Sequence, residues 1–177
     1  MSRTFGPIDQ VCWVVPDIET SMHHWAKTLG IGPWFFMPNL HPGDFTYRGV
    51  PSDVEISLAI AYSGKLQLEL IQQHNDAPSM YKDSIDAGNT PGQHHLGFFR
   101  RDYDNRLAEA LSAGYQVGHS GTLGGGTIRF AYLATEEEPG MIAELVELTD
   151  PGEASFVMMH QAALDWDGTD PIKTVPS

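Results

Sequence analysis

Gly92-Gln93-His94-His95-Leu96-Gly97-Phe98-Phe99 sets two adjacent histidines at the head of a short apolar run. Neighbouring side chains on a strand point to opposite faces, so one histidine can face a cavity while the other meets packing or solvent. A histidine pair alone is weak ground for a site. Its weight comes from an earlier stretch with the same pattern. Ile8-Asp9-Gln10-Val11 aligns with Gln93-His94-His95-Leu96, and Asp17 aligns with Asp102 at the same offset. Leu68-Glu69-Leu70-Ile71-Gln72 aligns with Ala143-Glu144-Leu145-Val146-Glu147. Repetition of this kind decides a fold before any single element does.

The first copy reads as strand, helix and three strands. Ile8 to Val15 is rich in β-branched and aromatic residues and is closed by Pro16. Asp17 is an N-cap candidate, and Ile18, Met22, Trp25 and Leu29 form one helical face that Gly30 ends. Strands follow at Trp34 to Met37, Val54 to Tyr62 and Lys65 to Gln72, with Asn39 to Gly43 as a loop. His74 to Thr90 is a linker with a short helix from Ser79 to Ala87. The pattern then restarts at Gln93 to Arg100, with a helical stripe of Tyr103, Leu107, Ala110 and Leu111. Its further strands are Tyr115 to Gly118, Thr127 to Ala134 and Met141 to Leu148, separated by a glycine-rich stretch and the acidic turn Glu136 to Gly140. The second copy is ten residues shorter between its first strand and its glutamate, so a loop differs while the elements match.

The expected fold is α+β: two βαβββ modules forming a cup-shaped mixed β-sheet, with a C-terminal extension. The first module covers 5–75, a linker 76–91, the second module 92–150 and a tail 151–177. In the tail, Ala154 to Leu164 is a helix candidate, and Trp166 is read as a packing residue.

Composition narrows the function. The 177 residues are 41% hydrophobic and 19% charged, the balance of a globular chain. A formal charge of −13 without a basic cluster argues against nucleic acid and anionic membranes as partners. Cys12 is the only cysteine, which fits a reducing compartment. The N-terminal stretch lacks a signal-peptide core, and no apolar run is long enough to span a bilayer, so a cytoplasmic protein is expected.

Strand parity then sorts the polar residues. Glu69 lies opposite the Leu66, Leu68 and Leu70 stripe that should pack on the helix. The same parity puts His95 with Phe99, Gln10 with Cys12 and Val14, and Glu144 with Ile142 and Val146. His94 is expected to face the helix side or the neighbouring module. Glu147, the rival of Glu144, shares the face of Leu145. A carboxylate inside an apolar strand is unfavourable unless it is paired or binds a metal.

With these features in place, the chain resembles the vicinal-oxygen-chelate superfamily. The resemblance rests on the βαβββ repeat, Asp9-Gln10-Val11, Leu29-Gly30-Ile31-Gly32-Pro33, Leu68-Glu69-Leu70-Ile71, Gly92-Gln93-His94-His95-Leu96 and Ala143-Glu144-Leu145-Val146. It covers residues 5 to 150 and implies metal ligands at Gln10, Glu69, His95 and Glu144, a set similar to that of eukaryotic-type glyoxalase I. The epimerases of the superfamily carry histidine at the first position, so Gln10 departs from them. One imidazole, one amide oxygen and two carboxylates suit one divalent ion such as Zn, Ni, Co, Mn or Fe.

The activity this implies is that of a metal-dependent isomerase or lyase, moving a proton at the carbon next to a carbonyl through a metal-bound enediolate, with Glu69 and Glu144 as the catalytic pair. The alternatives are an extradiol-type ring-cleaving dioxygenase, which needs Fe(II) on two histidines and a carboxylate, and a non-enzymatic small-molecule-binding protein. The expected substrate is a small carbonyl compound, apolar or aromatic, in a pocket drawing on Cys12, Trp34, Phe36, Phe99 and Tyr132. A homodimer is expected from the family habit of pairing modules.

Overall fold

The computed structural model describes residues 2–134 and 142–175. The first half contains β1 (Gln10–Val14), α1 (Ile18–Leu29), β2 (Trp34–Leu40), β3 (Gly43–Tyr47), β4 (Val50–Pro51), β5 (Ile56–Ser63) and β6 (Leu66–Gln73). After α2 (Met80–Asp86) come β7 (Gly92–Arg100), α3 (Tyr103–Ser112), β8 (Gln116–Leu123), β9 (Ile128–Ala134) and β10 (Ile142–Glu147). The chain closes with α4 (Asp150–Leu164) and β11 (Ile172–Thr174). All strands join one mixed sheet of order β11-β2-β5-β6-β1-β7-β10-β9-β8-β3-β4. Among the described residues, no helix is long and apolar enough to cross a membrane.

The repeat is visible in the pairing. β1 pairs in parallel with β6, and β7 pairs in parallel with β10. β1 and β7 meet antiparallel at the centre, where Gln10 faces Gly97 and Cys12 faces His95. Exchanging the halves therefore exchanges Gln10 with His95 and Cys12 with Gly97.

Alternation divides the core into layers. Ile18 and Met22 of α1 are buried with Leu68, Leu70 and Ala59 on the outer face of the first half. Tyr103 and Ala110 of α3 are buried with Leu133, Ala143 and Leu145 on the outer face of the second. The inner faces share one cluster that includes Cys12, Leu58, Ile71, Phe130, Tyr132 and Val146. Each fully buried large apolar side chain contributes about 1.5–3 kcal/mol.

Asp17 caps α1 as the pattern requires, accepting from Thr20 N–H at 2.8 Å, and Gly30 ends the helix in the left-handed region at φ +66°. Asp102 occupies the matching position of α3 but makes no cap; its carboxylate accepts from Arg106 at 3.0 Å. Leu29 and Leu111, each near its helix's C-terminal end, stay exposed instead of joining the buried stripe.

Three elements differ from the sequence reading. The stretch expected as a loop after Met37 continues β2 to Leu40 and then forms the β3–β4 hairpin. Arg48 and Gly49 turn it, both at positive φ, the conformation that two-residue hairpins favour. The hairpin leaves its own half and pairs with β8. β8 itself runs from Gln116 through Leu123, well past Gly118, because that hairpin gives it a second partner. The tail adds β11, which returns to the first half and pairs in parallel with β2. The acidic turn Glu136 to Gly140 lies outside the described residues.

Candidate metal centre

The central strands β1 and β7 and their parallel partners β6 and β10 each place one polar side chain at a common point. Gln10 Oε1, Glu69 Oε2 and Glu144 Oε2 stand 3.3, 3.3 and 3.2 Å from His95 Nε2. All four residues are buried, and Glu144 is the most exposed at 7%. An imidazole nitrogen carries at most one hydrogen, so Nε2 can serve only one of three oxygens. Glu69 Oε2 and Glu144 Oε2 are accordingly left without a hydrogen bond despite their closeness to the ring. Leaving two buried carboxylate oxygens without a partner is unfavourable. A divalent cation at the point of convergence would satisfy both, and imidazole, amide and carboxylate donors suit such an ion. The residues fit the metal.

The protonation states follow from the same packing. Burial alone would push His95 down, but Glu144 and Glu69 outweigh it and hold the imidazole up at about 9. Burial pushes Glu144 up, opposed by His95 and reinforced by Glu69. Cys12 is raised well above its ordinary value by burial and by Glu69, so it is a neutral thiol beside that carboxylate. Its sulfur, Glu69 and His95 each offer one atom within 4.8 Å of the others.

A second layer steadies these four side chains. In the first half, Gln10 Nε2 donates to Gln67 Oε1 at 2.6 Å, and Gln67 Nε2 donates to the Tyr62 hydroxyl at 2.7 Å. With its N–H groups turned outward, the Gln10 amide presents its oxygen to the centre. A Cβ on Gly97 would come within 2.5 Å of Gln10 Oε1, so the missing side chain makes room for Gln10 on the facing strand.

In the second half the support is aromatic. His94 Nε2 lies 3.1 Å from the Met80 carbonyl, which can only accept, so that nitrogen carries the hydrogen. Burial, then the neighbouring His95, holds His94 down at about 3, so its ring is neutral and Nδ1 is an acceptor. That nitrogen is 3.0 Å from His95 Nδ1, which must therefore donate. The chain of bonds from Met80 thus holds His95 with Nδ1–H outward and Nε2 toward the carboxylates. Tyr81 donates to the Tyr132 hydroxyl at 2.9 Å, and Tyr132 opposes the upward push of burial on the Glu144 carboxyl. His119, fully buried, lies 3.9 Å from the Tyr132 ring centre to centre and accepts from Met80 N–H at 3.4 Å.

The structure gathers Gln10, Glu69, His95 and Glu144, with Cys12 and Tyr132 packed against the group; both are buried in the inner cluster and, unlike the expectation, do not line the cavity. Phe99 lines the cavity in front of it. Trp34 and Phe36 do not join them. Both pack with α1 on the opposite face, because β2 turns Phe35, the residue between them, toward the inner cluster. His94 also differs from its expected place. Cys12 pairs with His95 while Trp13 pairs with Gln93, so His94 is the extra residue of a β-bulge. The bulge breaks strict alternation and lets both histidine rings contact Tyr132. Glu147 turns away, as its parity implies, and accepts from Arg129 at 2.9 Å. Gln67, Gly97, Tyr81 and His119 were not singled out from sequence. Gln67 shares the parity of Glu69 and could have been; Tyr81 and His119 carry no local signal.

A family model for the glyoxalase, bleomycin resistance protein and dioxygenase superfamily matches residues 9–132. The chain belongs to that superfamily. No curated protein matches. Among solved structures, methylmalonyl-CoA epimerase from Mycobacterium tuberculosis is 18% identical with a TM-score of 0.60, over 87% of this chain and 96% of its own. Hypothetical protein BH1468 from Bacillus halodurans C-125 is 18% identical with a TM-score of 0.58, over 81% of this chain and 95% of its own. Streptomyces coelicolor methylmalonyl-CoA epimerase, in complex with 2-nitronate-propionyl-CoA, is 20% identical with a TM-score of 0.56, over 81% and 94%. At these identities the likeness is one of fold.

Proposed function

We propose that the chain is a divalent-metal-dependent isomerase or lyase that moves a proton at the carbon next to a carbonyl of a small molecule. The observation that carries this reading is the convergence of three side-chain oxygens on His95 Nε2, with two carboxylate oxygens left unsatisfied. The four ligand positions would be Gln10, Glu69, His95 and Glu144. A bound ion would act as a Lewis acid on two adjacent substrate oxygens. The two glutamates come from parallel-paired strands in opposite halves, so one can take a proton that the other returns. Tyr132 steadies Glu144, and the Cys12 thiol lies against Glu69, which gives the carboxylates different environments. The amide at Gln10 favours this reading over an extradiol dioxygenase, whose iron takes two histidines and one carboxylate. All four ligands come from one chain, so a homodimer, the assembly implied by the family, would leave the site unchanged.

Elemental analysis of the purified protein against the Glu69→Gln/Glu144→Gln double variant tests the site. One divalent ion per chain in the wild type and none in the variant is expected. A wild type without stoichiometric metal would sink the reading. Solvent deuterium entering 2-hydroxycarbonyl compounds then reports proton transfer, whereas oxygen uptake with a catechol would point to the dioxygenase.

A further inference from the structure

We infer that the cup takes an uncharged, predominantly apolar carbonyl compound and turns away substrates that carry a phosphate or carboxylate. This rests on the proton-transfer reading for its chemistry and on the cavity walls for its selectivity. The metal centre lies at the base of a cavity of about 770 Å³, within the range of drug-sized pockets. Gln10, Gln67, Glu69 and Glu144 stand at that base, and the other polar lining residues, among them Asn39, Thr122 and Ser155, are uncharged apart from Asp44 and the imidazole of His41. Leu58, Ile60, Phe130 and Val146 form buried walls above it.

The tail supplies further apolar wall. Phe156 of α4 stacks on Phe99 with ring centres 5.0 Å apart, and Met159 is buried beside it. Val175 completes the wall and is pinned by its N–H to the Phe36 carbonyl at 2.7 Å. Trp166 holds the same tail at its other side. A Cβ on Gly32 would come within 2.9 Å of the indole, so the ring lies flush on that backbone. The tail is thus an anchored part of the cavity.

The decisive feature is where the cations are. None of the ten lysines and arginines lines the cavity among the described residues, and residues 135–141 (Thr-Glu-Glu-Glu-Pro-Gly-Met) contain neither type. The arginines nearest in sequence to the site are already engaged: Arg100 with Asp9 at 2.6 Å, Arg101 with Asp150 at 2.7 Å, and Arg129 with Glu147 and Asp104. Arg48 sits at 3.7 Å from Asp83. The lining also carries the carboxylate-bearing Asp44. At the base, two glutamates would neutralise a divalent ion and leave no surplus positive charge for an anionic group. An anion drawn into such a cavity loses hydration and meets no lysine or arginine to pair with, which disfavours it. Sharing a fold with coenzyme A epimerases therefore does not make this chain one.

The test uses the metal-loaded full chain and titration calorimetry with 2-hydroxyacetophenone, its 4-carboxy analogue and methylmalonyl-CoA. Saturable binding of the neutral ketone is expected, with both anionic compounds at least about tenfold weaker. In Leu58→Arg, which places a cation in the wall, the preference should move toward the carboxylated analogue. Equal or tighter binding of either anion by the wild type, or no saturable binding of the neutral ketone at millimolar concentration, overturns the inference. Deuterium exchange at the ketone's hydroxymethylene is followed in parallel by NMR. Tight binding without exchange would remove the proton-transfer reading and leave the substrate class standing.

Discussion

In the first half of the sheet, Gln10 is steadied by an amide and a phenol, Gln67 and Tyr62; in the second, His95 is steadied by a stack of rings led by His94. The strands that carry them are equivalent, yet the support has a different source in each half. Gln67 and Tyr62 lie within the first repeat itself. The second half depends on α2, the connecting helix, which supplies the Met80 carbonyl to His94, the Met80 N–H to His119 and the Tyr81 hydroxyl to Tyr132. A repeated fold can thus hold two ligand pairs at one point while borrowing their second layer from outside the repeat. Metal sites depend on such outer partners nearly as much as on the ligands.

The comparison can be broken most severely at the glutamates. Glu69→Gln and Glu144→Gln should each lower metal affinity by more than about 100-fold, read by competition with a chromophoric chelator. Equal losses would mean that the halves share the ion evenly, despite their different surroundings. His94→Phe and Tyr132→Phe should each cost about 10- to 100-fold in the same titration, and Tyr62→Phe less, since it acts through Gln67. A His94→Phe protein with unchanged affinity would show that the imidazole chain from Met80 does not orient His95.

Proton linkage gives the next effect. In the metal-free chain His95 is held up at about 9, above its unfolded value near 6.5, so its stabilising charge is fully present below pH 6.5. That contribution is lost as the pH rises toward 9, and the raised Glu144 acts in the same direction. The thermal midpoint of metal-free protein should therefore fall between pH 6.5 and 9. Metal must displace the His95 proton, so apparent affinity should rise with pH over that window. Calorimetry in buffers of different ionisation enthalpy would detect the released proton. Smallest of all, Gly97→Ala should cost about 1–3 kcal/mol by crowding Gln10, seen by denaturant unfolding, while Cys12→Ala should cost about 1 kcal/mol.

Much of the architecture was legible in the chain. Period-two alternation in Leu66 to Ile71 put Glu69 on the inner face, and the repeat then carried that assignment to Glu144. What failed did so for identifiable reasons. Trp34 and Phe36 were drawn to the pocket by their aromatic character, but the pleat turns Phe35 inward and them outward. His94 was expected on the helix side or against the neighbouring module; it stays off the cavity lining, but a bulge suspends alternation for one residue and sets its ring beside His95 and Tyr132. The hairpin at Tyr47-Arg48-Gly49-Val50 was hidden because its strands are short and its partner, β8, lies far along the chain, with Tyr47 paired to His119.

The sequence by itself determined the repeat and the shared strand parity of Gln10, Glu69, His95 and Glu144, because periodicity and capping act over a few residues; their reading as a ligand set came from the family resemblance. Only the tertiary structure decided the outer partners of the ligands and the walls of the cavity. Tyr81, His119, Phe156 and Val175 reach the centre from four separate segments, and no local pattern records a contact made across the sheet. The convergence on His95 Nε2 is likewise a product of registry between distant strands, which side-chain alternation allows but cannot specify.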